Sequence, residues 1–501
     1  MTKLANSNAA WWIFTVCVVV VYFYGLKMPL VGPDEPRYAQ VAREMFERGD
    51  WISPTLGGFD WFEKPALLYW LQIVGYKLFG VNEFAARFGS ALFGLGTVAS
   101  TWILGRYSNF RSEKTESVEF ANWLALITAT TLGILVFSRG ASFDIIVTFP
   151  LTASLIGFFV YDRPHSEQHR QQTLGIVSFY FFAGLAVLAK GLIGIVFPFG
   201  TVFAYFVLSR RWPSKQLVIS IVWGTFLIVA VAAVWNVPMY LRHGWKFIDE
   251  FYVQHHFQRY TSNKYQHPQP FYFYLWVLPL MTVPWLPFFI ISIWRWTKEL
   301  FTRKNIETSD RDTNSRPLQL FALAWIAVPL LFFSLSGSKL PGYILPALPG
   351  AVALTGIFVF EFVRRSAKRR ALVFTIAAAT LIAIMVLVTF VVPKYADRES
   401  VKRLIEKAND AGYRSSKVVN FQNISHNAEF YAAGRLVREP DGKQKRFDNA
   451  KELTAFVESL ESPALVLVPV EKSSEILASK YFNSDMIGEN GDLAIIAIRG
   501  N

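Results

Sequence analysis

Runs of about twenty mostly apolar residues recur along this chain, and that length is what an α-helix needs to cross the hydrocarbon of a bilayer. They fall at 9–28, 84–105, 119–138, 142–161, 173–189, 191–209, 217–240, 271–294, 317–336, 341–363 and 371–393. In lipid, backbone N–H and C=O groups have no water to bond, so such runs are confined to helices that satisfy their own hydrogen bonds. The expected fold is therefore mainly α, a polytopic transmembrane helical bundle of about eleven spans. Composition agrees: 53% of the 501 residues are hydrophobic and 16% aromatic, well outside ordinary soluble usage. Only Lys190 and Gly191 separate the fifth and sixth runs, so a tight reversal that glycine permits is expected there. The first run follows a single lysine, Lys3, without a convincing cleavage site, and reads as a retained span.

The net charge of +13 would suggest nucleic acid in a soluble protein. Here the cations sit in alternate connections: Arg106, Arg111 and Lys114; Arg163 and Arg170; Arg210, Arg211 and Lys215; the stretch 295–316; and Arg364, Arg365, Lys368, Arg369 and Arg370. The short connections between them hold little beyond Arg139, Lys190 and Lys339. The positive-inside rule accounts for that bias with a cytoplasmic N-terminus, and no nucleic-acid partner is expected. The run 65–80 is short and carries Gln72 and Lys77; a crossing there would invert the bias, so it reads as an interfacial helix started by Pro65. Cys17 is the one cysteine, which excludes an intrachain disulfide or cysteine-rich metal site.

Three longer segments fall outside the membrane on this topology: 29–83, 241–270 and 394–501. Tyr38, Val41, Ala42 and Met45 share a helical face within 34–49. The last segment alternates helix and strand patterns: helices at 401–411, 428–433, 449–460 and 473–481, strands at 417–421, 464–470 and 493–498. That predicts a transmembrane domain over 1–393, with interfacial helices at 34–49 and 65–80, and a small soluble α/β domain over 394–501.

Charged side chains beside a bilayer are expensive unless paired or used, and the expected outer layer has several. Asp34, Arg37 and Tyr38 fall at i, i+3 and i+4 and share one helix face; Asp34 and Glu35 equally suit a helix N-terminus. Asp144 opens the fourth span, where a first-turn acid is equally at home. Lys190 and Lys339 lie at span ends, where a lysine can snorkel to the interface, although both run against the local charge bias. The 241–270 segment holds His243, His255, His256, Arg259, Tyr260 and His267. Glu63 with His255 or His256 is a candidate divalent-metal set, ordinary surface histidines being the plainer reading; Arg259 suits a phosphate. Arg37, Lys64, Lys190, Arg259 and Lys339 beside Asp34, Glu35, Glu63 and Asp144 fit a phosphate diester held at the membrane surface next to a carboxylate base. No P-loop, Rossmann fingerprint or HExxH motif is present.

Asp34-Glu35-Pro36-Arg37-Tyr38-Ala39, then Ala42-Arg43-Glu44-Met45, Phe62-Glu63-Lys64-Pro65, Asp144, Ala189-Lys190-Gly191 and Ser338-Lys339-Leu340-Pro341 with Tyr343 together resemble the GT-C class of membrane glycosyltransferases. The resemblance is to the branch of bacterial aminoarabinose transferases of lipid A and their protein O-mannosyltransferase relatives, and covers roughly 10–350. It departs at Pro36, where that branch often has a small polar residue. The resemblance implies a GT-C bundle of about eleven to thirteen spans in a bacterial inner membrane, with the site and the C-terminal domain facing the periplasm. It implies a polyisoprenyl-phosphate-sugar donor, a lipid, glycan or protein acceptor, and transfer with inversion. Asp34 and Asp144 would be the catalytic acids; Arg37, Lys64, Lys190, Arg259 and Lys339 would hold the donor phosphate; Glu35, Tyr38 and Tyr343 would line the substrate pocket. Asp34, Lys64, Asp144 and Lys190 are expected to converge in one pocket. The rival from another class is a flippase of polyprenyl-linked sugar lipids, which would use the same cations without chemistry; transporters usually show paired repeats and midplane charges, and neither is visible here.

Overall fold

The computed structural model describes residues 8–108, 114–163, 169–261, 268–301, 315–460 and 462–500, with the side chains at 8, 256, 259 and 299–301 also outside the description. Among the described residues, seven helices are long and apolar enough to cross a membrane: Glu83–Tyr107, Phe143–Asp162, His169–Lys190, Lys215–His255, Arg316–Ser334, Pro341–Arg364 and Ala367–Glu399. Each covers one of the expected runs. The other four runs form shorter or broken helices. Asn8–Phe23 and Ile193–Ser209 are shorter. The run 119–138 divides into Lys114–Thr130 and Leu132–Phe137 at an extended Thr131, where the Leu132 N–H donates to the Val283 carbonyl at 2.8 Å. The run 271–294 divides into Phe273–Met281 and Leu286–Phe301. This is a multi-pass membrane protein.

The chain forms two compact units. The first comprises Met1–Tyr24, Phe62–Leu68 and Gly89–Met385 and holds most of the helices. Phe143–Asp162 and His169–Lys190 lie close because Gly157 and Gly175 face one another: a Cβ on either would stand 2.7 Å from the other's carbonyl oxygen. Small residues at such crossings let helices pack without a hydrophobic driving force. Ser154 adds a bond across the pair, its Oγ donating to the Phe179 carbonyl at 2.7 Å. Gly191, with φ of 71°, makes the expected reversal between His169–Lys190 and Ile193–Ser209. The helix from Lys215 continues beyond the expected 217–240, through a kink at Gly244 (φ 57°), into a π-helical stretch Ile248–Gln258. Ile219, Val222 and Phe226 are exposed along it, an apolar stripe suited to lipid rather than water.

The second unit comprises Gly25–Trp61, Tyr69–Phe88 and Val386–Asn501. The expected amphipathic helix is Asp34–Arg48, closed by Gly49 in the left-handed region at φ 67°. Tyr38, Val41, Ala42 and Met45 are all buried, as their spacing requires. The run 65–80 is the helix Leu67–Phe79, which begins in the first unit and continues in this one.

The C-terminal segment of this unit folds around a five-stranded mixed sheet, ordered Arg446–Phe447, Val418–Phe421, Ala464–Pro469, Leu493–Gly500 and Phe482–Glu489. The first three are parallel; the last two pair antiparallel. Val401, Leu404 and Ile405 pack on one face, Leu453, Val457 and Ile476 on the other. The helix expected over 473–481 stops at Leu477, and Phe482–Glu489 is an unforeseen edge strand. Tyr431 ties the unit's segments together: its hydroxyl accepts from the Leu30 N–H at 2.8 Å and donates to Glu83 at 3.1 Å. Lys402 reaches the same Glu83 at 2.8 Å.

Candidate active site

In the first unit, Ser142 caps the helix that carries Asp144, its Oγ accepting from the Asp144 N–H at 3.1 Å. Lys190 ends the neighbouring helix and donates to Asp144 Oδ1. Both side chains are only 17% exposed, so the pair is largely desolvated and each charge depends on the other. The Lys190 ammonium also lies 4.7 Å from the centre of the Tyr343 ring, a favourable cation–π placement. Gly342 makes room for this arrangement: a Cβ there would collide with Asp144 Oδ2. Tyr274 secures the adjoining loop by donating to the Leu340 carbonyl at 3.0 Å. Thus Asp144, Lys190 and Tyr343, from three separate segments, form one cluster.

Lys339 is buried at 6% exposure and donates to the Ser336 carbonyl at 2.6 Å; burial pushes its ammonium pKa down. The same loop carries Ser338, whose buried Oγ has no hydrogen-bond partner among the described residues. Glu63 and Lys64 pair with each other at 2.6 Å. Among the described residues no three His, Cys, Asp or Glu side chains come together as a metal site. Glu63 is bound by Lys64, and the side chains of His256 and Arg259 lie outside the described residues, as does all of His267. With the His256 side chain outside the described residues, the Glu63, His255 and His256 set stays an expectation, and no chemical step is routed through a metal.

In the second unit, Asp34 and Arg37 approach at 3.5 Å on one helix face; Asp34 is 56% exposed and Arg37 22%. Arg37 also donates to the Pro33 carbonyl at 3.4 Å and lies 5.5 Å from the centre of the Trp61 ring. Tyr38 shares the helix but is buried. Glu35, placed in the substrate pocket by the resemblance, has both oxygens on Arg87: Nε to Oε1 at 3.0 Å and Nη2 to Oε2 at 2.7 Å. It also accepts from the Val31 N–H at 3.2 Å. Arg87 further donates to the carbonyls of Leu26, Met28 and Pro29, so this bidentate pair holds the turn that precedes Asp34. Adjacent carboxylates thus have different surroundings: Glu35 is committed to an arginine, while Asp34 faces solvent.

Arg87, Glu83 and His426 do not stand out as site residues in the sequence. Arg87 carried a usable signal, because a cation inside the apolar run 84–105 demands a partner. His426 carried none; it nears Arg37 and Asp34 electrostatically only through folding of the second unit.

A family model described as "Dolichyl-phosphate-mannose-protein mannosyltransferase" matches residues 12–254. An undecaprenyl phosphate-alpha-4-amino-4-deoxy-L-arabinose arabinosyl transferase of Aeromonas salmonicida is 29% identical over 365 residues, 72% of this chain and 61% of that protein. The protein of that name from Serratia proteamaculans is 28% identical over 446 residues, 84% of this chain and 74% of its own. The match to the Aeromonas protein thus spans about three-fifths of its length. Among solved structures, ArnT from Cupriavidus metallidurans bound to undecaprenyl phosphate superposes with a TM-score of 0.79 at 20% identity, over 98% of both chains. Helical architecture and C-terminal mixed sheet give the chain an ArnT-like fold, and its sequence is similar to protein mannosyltransferases and aminoarabinose transferases of the GT-C class.

Proposed function

We propose that this protein is a membrane glycosyltransferase that moves a sugar from a polyisoprenyl-phosphate carrier, of the undecaprenyl-phosphate class, to a lipid, glycan or protein acceptor on the outer face of a bacterial inner membrane. An acceptor hydroxyl oxygen attacks the anomeric carbon and the new glycosidic bond forms. The bond from that carbon to the phosphate oxygen breaks, and the lipid phosphate leaves with the electron pair. Asp34 takes the hydroxyl proton, work a solvent-facing carboxylate suits. Lys64, Lys190 and Lys339 of the first unit hold the phosphate and stabilise the charge it gains, with Asp144 orienting Lys190. A single displacement of this kind inverts the anomeric centre.

The observation that supports this reading best is the meeting of Asp144, Lys190 and Tyr343, three members of the family pattern far apart in sequence. The Lys and Arg bias of the loops supports the outward orientation. The test uses purified full-length protein in vesicles with radiolabelled undecaprenyl-phosphate-linked aminoarabinose and a lipid A acceptor, with glycan and protein acceptors in parallel. Label covalently joined to an acceptor supports transfer. Movement of intact donor across the bilayer with no labelled product supports the flippase instead.

A further inference from the structure

The second unit contains a cavity of about 370 Å³ beside the start of the Asp34 helix. Gly32 and Pro33, the two residues before Asp34, form one wall; Asn423, Ser425, His426 and Asn427 form another. Glu399 and Asp492 also line it. No lysine or arginine is among the lining residues, which sets the cavity apart from the cation-rich residues assigned to the donor phosphate. Its polar lining is also incompletely satisfied. Ser425 and Asn427 are 4% and 7% exposed, and Ser425 Oγ and Asn427 Oδ1 have no hydrogen-bond partner among the described residues. Buried polar atoms without partners are costly, and both belong to side chains that line the cavity. The neighbouring atoms are already committed: Asn427 Nδ2 donates to the Glu399 carbonyl at 3.0 Å, and the Ser425 N–H donates to Asn420 Oδ1 at 3.2 Å. Ile424 and Leu493 add apolar surface of the sort on which a sugar ring rests.

We propose that this cavity is a saccharide subsite for the acceptor, selecting a neutral or amine-bearing sugar rather than a phosphate. The amides of Asn423 and Asn427, the Ser425 hydroxyl and the His426 ring bond to its hydroxyls; Glu399, which accepts from the Tyr395 hydroxyl at 3.0 Å, and Asp492, paired with Arg398 at 3.0 Å, each keep a second carboxylate oxygen for an amino group. The volume lies at the low end of ligand pockets and suits one or two sugar rings. The subsite rests on the transferase reading for its role as acceptor site, but its sugar binding stands independently of transfer.

The test is binding of methyl β-glucosaminide, methyl β-glucoside and inorganic phosphate to the full-length protein in nanodiscs, read by saturation-transfer NMR and titration. Asn423→Ala and His426→Ala are compared with the parent, and binding of undecaprenyl phosphate reports that each variant is folded. The expected result is glycoside binding by the parent, weakened at least tenfold in both variants, with undecaprenyl phosphate affinity unchanged and inorganic phosphate not competing. In the transfer assay both variants then raise the acceptor KM and leave kcat near the parent's. Absence of glycoside binding by the parent, equal affinity in parent and variants, or competition by inorganic phosphate overturns the subsite. Glycoside binding that depends on Asn423 and His426 in a protein that transfers no sugar overturns the transferase reading and leaves the subsite standing.

Discussion

Lys190 and Asp144, on consecutive spanning helices, form a largely desolvated ion pair capped by the Tyr343 ring. An anionic ligand arriving at Lys190 would find its ammonium already aimed and held, which reduces the ordering cost of binding. Lys190→Ala is expected to weaken donor binding by roughly ten- to a hundredfold, the scale of one charge-assisted contact. Titration of undecaprenyl phosphate into parent and variant measures it, and equal affinities would remove Lys190 from phosphate binding.

Gly342 lies where a single methyl group would strike the Asp144 carboxylate. Gly342→Ala is expected to displace Asp144 from Lys190 and to lower thermal stability by about 1–3 kcal/mol, the usual cost of overpacking. Unfolding measurements and the transfer rate should fall together. A variant that matches the parent in both would show that the loop yields freely.

The Glu35–Arg87 pair makes a structural prediction. Both side chains are buried or nearly so, and removing one member leaves the other charge unpaired at a cost of about 3–5 kcal/mol. Arg87→Ala should therefore be among the most destabilising substitutions in the second unit. Arg87→Lys, which cannot reproduce the bidentate fork, should recover only part of the loss. Thermal unfolding of the detergent-solubilised protein ranks the three.

His426 predicts a pH dependence. Burial, reinforced by Arg37, holds its pKa below the ordinary 6.5, against the opposing pull of Glu429 and Asp34; Glu399 and Asp492 share its cavity. The fold favours the neutral ring, so the unfolded chain binds the extra proton first as pH falls. This contribution to stability is complete above pH 6.5 and is lost progressively below it, down through the folded-state pKa. His426→Ala should flatten that part of the stability profile between pH 7.5 and 5, and an unchanged profile would contradict the assignment.

Much of the architecture was legible in the chain because it depends on local periodicity. The buried face of Asp34–Arg48 follows from residues three and four apart, and the reversal at Gly191 from a glycine between two apolar runs. The breaks at Thr131 and after Met281 were not legible, since at the first the Leu132 N–H donates to a carbonyl about 150 positions away. Phe482–Glu489 escaped notice because an edge strand can carry Asn483, Ser484, Asp485 and Glu489 without an alternating apolar pattern. In the candidate site, Asp144, Lys190 and Tyr343 were singled out individually, but their pairing is a product of helix packing. The commitment of Glu35 to Arg87 likewise needed the folded turn between Leu26 and Val31.

The central claim is tested most directly by Asp34→Asn with a labelled undecaprenyl-phosphate-linked sugar and a lipid, glycan or protein acceptor. Turnover should fall by about 10²–10⁴-fold, the scale of general-base catalysis, while donor affinity stays at the parent's value. A variant that forms product at the parent's rate would contradict Asp34 as the base.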